Sequence, residues 1–358
     1  MLALFRRLGD ANQWQALIFR GNRMFLAFGG LYVRSPTETM RISQSLMHAI
    51  PEAPKGKAFV RVTLNPRKNP ELAVLIAGIG RFGNSVAQVL NSIRLAQVLQ
   101  SNLVLFHRFD AIGNKNVNLG NTHKLVRLTG RNTTGGSAPG VIWRTYSITP
   151  NILFCDPCAD DLREARQALG LALNIAPLPR PVVGSTQTLT IHVRGGDVFS
   201  SKPERYYGQP PWAFYRRVLE SATWGTVELV SEDDSNPVVP LIRKWCDEHS
   251  ADLQEPGHEF RSAVSAISNA RHLVAAHGTF APSIAYLSGG SRVVFQFHEQ
   301  ASQFFCPTHT KILTVHDLRG EYVEAIMNRN WQNTDKQRNM MTTYPLDSLS
   351  QLTESHAV

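Results

Sequence analysis

The chain has 358 residues, 43% of them hydrophobic and 18% charged. That is a globular composition with room for two ordinary domains, and it excludes a disordered or fibrous chain. The formal net charge of +9 favours anionic partners, but no block of five or six consecutive Lys/Arg occurs, so a nucleic-acid arm is not indicated.

Residues 1–70 are expected to be a basic amino-terminal extension and linker. Met1 to Arg34 combine Leu, Phe and Trp14 with Arg6, Arg7, Arg20, Arg23 and Arg34 against a single acid, Asp10. Such a stretch suits a helix packed on its own domain, or peripheral contact with an anionic membrane face. The apolar run Met24–Phe28 is too short and too closely flanked by arginine for a signal peptide. No segment approaches the roughly 18 apolar residues needed to span a bilayer. Pro36, Pro51, Pro54, Pro66 and Pro70 then mark a connecting region.

The first clear core strand is Leu72–Ala77, followed by Gly78-Ile79-Gly80-Arg81-Phe82-Gly83-Asn84. An amphipathic helix is expected from Ser85 to about Gln100, then a strand over Leu103–Phe106, which together make a right-handed βαβ unit with parallel strands. Gly78-x-Gly80-x-x-Gly83 also fits the dinucleotide fingerprint, so an NAD(P)-dependent oxidoreductase is one reading of this segment. Against it, His107-Arg108-Phe109 stands where an acidic residue should hold the ribose, and Arg81-Phe82 is bulky where a pyrophosphate must approach the backbone.

Residues 71–180 are thus expected to be an amino-terminal Rossmann-like domain. Within it, Asp110 to Ser147 is read as loop and short-strand material lining an acceptor cleft, and Asp160 to Ala172 as a helix capped by Asp160. Pro177, Pro179 and Pro181 mark the hinge, residues 181–329 the second Rossmann-like domain, and residues 330–358 a polar tail carrying little order. Of the four cysteines, only Cys155 and Cys158 have ligand-like spacing, and without a second pair no metal site is expected. Sparse cysteine suits a reducing compartment.

The second half is organised around Thr188-Leu189-Thr190-Ile191-His192-Val193-Arg194-Gly195-Gly196-Asp197, a buried strand running into a glycine turn. An arginine at the carboxyl end of such a strand can reach an anionic ligand in the crevice of an open α/β sheet, and its planar fork of donors matches phosphate oxygens. Further elements are expected as a helix from Trp212, a strand over Thr226–Val230 ending in Ser231-Glu232-Asp233-Asp234, and a helix around Leu241–Glu248. A helix over Phe260–Ala270, a strand over His272–Ala276 and a last strand over Val293–Phe297 complete the pattern. Between the last two, His277-Gly278-Thr279-Phe280 opens a helix with Pro282 in its first turn, a ready anion site.

Three of these local patterns, in order, resemble the fucosyltransferase superfamily. Gly80-Arg81-Phe82-Gly83-Asn84 is similar to the glycine loop of the protein O-fucosyltransferases (G-R-F-G-N) and of the α1,2 enzymes (G-x-x-G-N-Q). His192-Val193-Arg194-Gly195-Gly196-Asp197 resembles their donor motif H-x-R-R-G-D. Ile267-Ser268 through Arg271-His272 to Gly278-Thr279-Phe280 looks like the carboxyl-terminal block of the α1,2 enzymes, and Ser231-Glu232-Asp233 echoes their S-D-D.

The resemblance implies an α/β fold of the GT-B type, two doubly wound Rossmann-type domains facing a cleft. It also implies an inverting, metal-independent glycosyltransferase that moves fucose from GDP-fucose to a glycan or glycoconjugate, with no cofactor. On it, Arg194 holds the β-phosphate and His192 the guanine or ribose side. Gly196, Ser231, Asp233, Gly278, Thr279 and Phe280 complete the donor site, while Arg81, Phe82, Gly83 and Asn84 lie on the sugar and acceptor side. Asp197 joins Arg194 as a catalytic candidate, with Glu232 and Asp233 as alternative bases. The pattern departs at Gly195, where the family has a second arginine, at Ser85, where it has Gln, and at Ala263, where it has an acid. Those departures also admit a catalytically degenerate sugar- or nucleotide-binding homologue. A cytoplasmic enzyme of surface-polysaccharide synthesis, peripheral on the inner membrane face, is the expected setting.

Overall fold

The computed structural model describes residues 188–298 and 310–354 in full and residues 81–90, 92, 93, 117, 118 and 164–175 with their side chains; elsewhere it gives the backbone of the strands and helices named below. The chain divides into two compact units, Met1–Leu173 and Asn174–Val358. Both are α/β, and each contains a seven-stranded sheet.

In the first unit the strands are β1 (Leu4–Arg7), β2 (Trp14–Leu17), β3 (Arg23–Leu26), β4 (Leu31–Arg34), β5 (Thr39–Ile42), β6 (Val60–Leu64) and β7 (Leu72–Ile76). After helix α1 (Phe82–Val98) come β8 (Leu103–Phe106), β9 (Val117–Leu119), β10 (His123–Arg127), β11 (Val141–Thr145) and helix α2 (Arg163–Ala172). The large sheet has the order β3-β6-β11-β7-β8-β10-β9. Strands β7 and β8 are parallel across α1, which is the expected βαβ unit.

Residues 1–70 are therefore not a separate extension, because β3 and β6 join the same sheet as β7. The reason is visible in Val60-Arg61-Val62-Thr63-Leu64, whose strict alternation and β-branched content favour a pleated strand over a linker. The basic stretch before Arg34 likewise forms strands, not a helix. Helix α1 begins at Phe82, three residues before the expected Ser85, and the first helical hydrogen bond runs from Ser85 N to Arg81 O at 2.9 Å. Val86, Ala87, Val89, Leu90 and Ile93 are its buried stripe. Gly78, Gly80, Asp160, Cys155, Cys158 and the hinge prolines lie outside the described residues.

The second unit begins with β12 (Thr188–Val193) and continues through helix α3 (Trp212–Leu219), β13 (Thr226–Ser231), α4 (Val239–Glu248), β14 (Asp252–Gln254), α5 (Phe260–Asn269), β15 (His272–Ala275), α6 (Phe280–Ser288), β16 (Val293–Phe297) and β17 (Lys311–Val315). It closes with helix α7 (Asp335–Thr343) and β18 (Thr353–Glu354). The sheet order is β14-β13-β12-β15-β16-β17-β18, parallel throughout except for the last pair.

The chain runs outward from β12 in one direction, then returns to its other side with β15. This is the Rossmann strand order, with its topological switch point between the carboxyl ends of β12 and β15. Leu189, Ile191 and Val193 are fully buried in a core shared with residues of α3, α4 and α7. The opposite face carries Thr190 and His192, and α5 and α6 pack on that side. Burial on both faces accounts for the apolar character of the strand.

The expectation of a loosely ordered tail after residue 329 is overturned. Trp331 and Met341 are fully buried, and β18 extends the sheet. Helix α7 starts with a capping box between Thr334 and Gln337. The polar appearance of the segment comes from a helix that buries only a narrow apolar stripe while its caps and turns are made of Asn, Thr and Gln. Asp317, just past β17, anchors it. Its carboxylate accepts hydrogen bonds from the backbone N–H of Arg319, Tyr322 and Val323 at 2.9–3.2 Å and from the Tyr344 hydroxyl at 2.7 Å. Burial alone would raise the Asp317 pKa, but these four donors outweigh it and hold it below the ordinary carboxylate value.

Trp331→Ala should lower the free energy of unfolding by about 3–5 kcal/mol, read from urea unfolding curves. Because Asp317 is stabilised in its charged form, its contribution is present above the ordinary aspartate pKa of about 4 and is lost as pH falls through the lower folded value. Asp317→Asn should therefore unfold more easily at pH 7 and show a smaller stability change than wild type between pH 5 and pH 2.5, followed by circular dichroism.

Candidate functional site

Arg194 leaves the carboxyl end of β12 beside the switch point, with its side chain 14% exposed. Four neighbours fix it. Asn236 Nδ2 donates to the Arg194 carbonyl at 2.9 Å, tying the turn after β13 to the turn after β12. The guanidinium lies 4.1 Å from the centroid of the Tyr207 ring, a cation–π contact. Its Nη2 is 3.5 Å from the carboxylate of Asp197. Finally, it rests against Gly278, where a Cβ would stand 2.7 Å from Nη1. Gly278 has φ +140°, a second reason for glycine there.

Gly278 and Thr279 lead directly into α6, so the positive end of that helix dipole lies beside the arginine. Phe280, its first residue, packs against the rings of His192 at 5.5 Å and Phe260 at 5.9 Å. His192 is buried and its Nδ1 finds no hydrogen-bond partner in the protein. Desolvation, reinforced by the Arg194 charge, lowers its pKa to about 3. His277 is similar: desolvation lowers it to about 4, with Arg194 adding to the effect against a bond from its Nδ1 to the Gly208 carbonyl at 2.8 Å. Both rings are neutral at pH 7, so neither competes with Arg194 for an anion.

The glycine pair is explained by the acids that follow β13. A Cβ on Gly195 would run into the Asp233 carboxylate, and Gly196, at φ +60°, is covered by the carboxylate of Glu232. Asp233 accepts from Gly196 N at 3.1 and 3.2 Å and from the backbone and hydroxyl of Ser235. Burial pushes its pKa upward, but those hydrogen bonds, with a smaller contribution from His258, prevail and lower it. Asp234 turns away to Arg243 at 2.7 Å. Asp233 and Asp234 thus have separate partners, and no group of three metal-ligating side chains is assembled among the described residues.

The structure brings His192, Arg194, Gly196, Asp197, Asp233, Gly278, Thr279 and Phe280 to one edge of the second unit's sheet, with buried Ser231 ending the neighbouring strand. Arg81, Phe82, Gly83 and Asn84 sit at the start of α1 in the first unit, with Arg81 exposed and Gly83 buried. Ala263 is buried in the first turn of α5.

Residues that the sequence did not single out complete the corner. Gln209 is fully buried, and its Nε2 donates to the carbonyls of Tyr207 at 2.9 Å and His277 at 3.3 Å. From the tail, Trp331 Nε1 donates to Val198 O at 2.7 Å, and Asn333 Nδ2 to Phe199 O at 2.6 Å, holding the short helical turn that follows Gly195. The Tyr-Gly-Gln-Pro-Pro run at 207–211 was the available signal, since a glutamine between glycine and two prolines suits a fixed turn more than a mobile loop.

The strand order and the arginine at its switch point place the second unit in the Rossmann-like α/β class. Comparison with protein-family models, curated proteins and solved structures gives no match.

Gly195→Ala should destabilise the wild-type chain by pressing on Asp233, and should cost less in an Asp233→Ala background. A coupling of about 0.5–3 kcal/mol in a double-mutant cycle of unfolding free energies is expected; additive costs would contradict the contact.

Proposed function

We propose that the chain is an inverting, metal-independent glycosyltransferase that uses GDP-fucose and a glycan or glycoconjugate acceptor. The observation that carries this is Arg194 at the switch point, packed against Gly278 at the start of α6. A guanidinium and a helix dipole converging on one spot suit a diphosphate that gains charge as it departs. In a single displacement, the bond from sugar C1 to the β-phosphate oxygen breaks as the acceptor oxygen bonds to C1. The acceptor proton passes to a carboxylate. Asp197, 38% exposed beside Arg194, and exposed Glu232 are the candidates to take it, whereas Asp233 is committed to Gly196 and Ser235 with a lowered pKa. The neutral, unpartnered Nδ1 of His192 suits the guanine or ribose side.

The GT-B pairing of the two units, an acceptor role for Arg81–Asn84, and a cytoplasmic setting with residues 1–34 against a membrane belong to the same proposal. Among the described residues no helix is long and apolar enough to cross a membrane. A second reading has one observation in its favour: the strand order of the second unit is also that of dinucleotide-binding domains, so an NAD(P)-dependent oxidoreductase makes a distinct prediction.

Thermal unfolding with GDP, UDP, ADP and NADPH separates the two. GDP at a hundredfold excess over its Kd should stabilise the protein by about 2.7 kcal/mol; stabilisation by NADPH alone would favour the oxidoreductase. With GDP-fucose and an accepted glycan, Arg194→Ala should lower turnover by about a hundredfold or more while its ligand-free melting curve stays close to wild type. Near-normal turnover would defeat the assignment, and GDP binding without any GDP release would mark a degenerate homologue.

A further inference from the structure

The segment between the turn after β12 and helix α3 has a geometry that the motifs do not explain. It leaves the site with exposed Ser201 and Lys202, then returns across it as Tyr207-Gly208-Gln209 before Pro210 and Pro211 open α3. On the return it touches both loops of the switch point. Tyr207 lays its ring against the Arg194 guanidinium at 4.1 Å and lies 6.1 Å from the ring of His277. Gly208 O accepts from His277 Nδ1 at 2.8 Å, and Gln209 Nε2 donates back to His277 O at 3.3 Å.

The strap is fixed from behind as well. Tyr322 Oη donates to the Gln209 carbonyl at 2.7 Å, and a Cβ on Gly208 would collide with the Ile326 carbonyl, which lies on the π-helical turn Val323–Met327. Two faces of Arg194 are therefore defined by backbone that cannot easily move: Gly278 on one, and the strap carrying Tyr207 on another.

We propose that Tyr207 is a positioning residue for diphosphate binding, acting through Arg194. This rests on Arg194 being the phosphate ligand. An arginine side chain has considerable rotamer freedom, and the Asp197 carboxylate 3.5 Å away offers it a competing partner. The electron-rich ring face holds the guanidinium without consuming any of its N–H donors, unlike a carboxylate. The ring also shields the cation from water on that side, which strengthens its attraction to an incoming phosphate. Ordering the guanidinium before the ligand arrives removes a cost that binding would otherwise carry. The identity of the residue then follows: the contact uses the ring face, and the hydroxyl is dispensable.

The test uses the full chain and isothermal titration calorimetry with inorganic pyrophosphate and with GDP. Tyr207→Phe should keep both affinities within about twofold, whereas Tyr207→Leu should weaken both by about tenfold, the scale of a partly buried cation–π contact. A second series places phenylalanine carrying one, two or three ring fluorines at position 207. Affinity should fall stepwise as fluorination drains the ring face, although shape and packing scarcely change. A purely structural role would leave that series flat, and a flat series, or a Leu variant that binds like wild type, would overturn the proposal. If wild type binds neither pyrophosphate nor GDP, the phosphate role of Arg194 fails, and the role of Tyr207 with it. Wild-type binding that no substitution at position 207 alters defeats the positioning role alone.

Discussion

A positive charge at the edge of a parallel sheet is the constraint on which the second unit depends. Arg194 follows a strand whose side chains are buried on both faces, so its guanidinium emerges where little water reaches it. A cation in that position needs partners, since burying charge without compensation is costly. The fold supplies a carboxylate at 3.5 Å, an aromatic face at 4.1 Å and two histidines kept neutral by desolvation. None of these holds the arginine in the short bidentate grip that would use up its donors. The result is a charge that is ordered but still able to engage an anion.

The loops that create this corner are tied to one another. Asn236 ties the turn after β13 to Arg194, Asp233 ties it to Gly196, and Gln209 ties the strap to the loop after β15. Trp331 and Asn333 hold the turn after Gly195 from the tail. Hydrogen bonds spread over five separate segments mean that no single loop sets the geometry, and that stability of the tail and order at the site are coupled. A site presented on rigid elements gains in precision what it gives up in adaptability.

Much of this was legible in the sequence. The alternation in Thr188–Val193 announced a buried strand, the glycines at 195 and 196 a turn, and the Gly278-Thr279-Phe280 run a helix start. What local pattern could not show is why those glycines are there. Gly195 and Gly196 answer to carboxylates nearly forty positions downstream, and that contact exists only once β12 and β13 pair in register. The tail is hard to read for a related reason: Trp331, Met341 and Leu349 are spaced too widely for a helical or strand period, yet all three reach one core. Val60–Leu64 differs, since its alternation is a strand signal set among prolines that signal a linker.

The glycine at position 195 has a consequence for charge. Fucosyltransferase-like donor motifs carry a second arginine there, whereas in this chain the space belongs to the Asp233 carboxylate. That acid holds the backbone of the glycine turn, so any side chain at 195 would press on the carboxylate that accepts from Gly196 N. On the proposed reading, one guanidinium and one helix start would serve where the resembled motif has two guanidinium groups. A diphosphate held by fewer charges depends more heavily on how well each is placed, because a misdirected donor has no neighbour to compensate for it. On that reading, the dense packing around a single arginine, with glycine on one side and an aromatic ring on another, is what would place its donors.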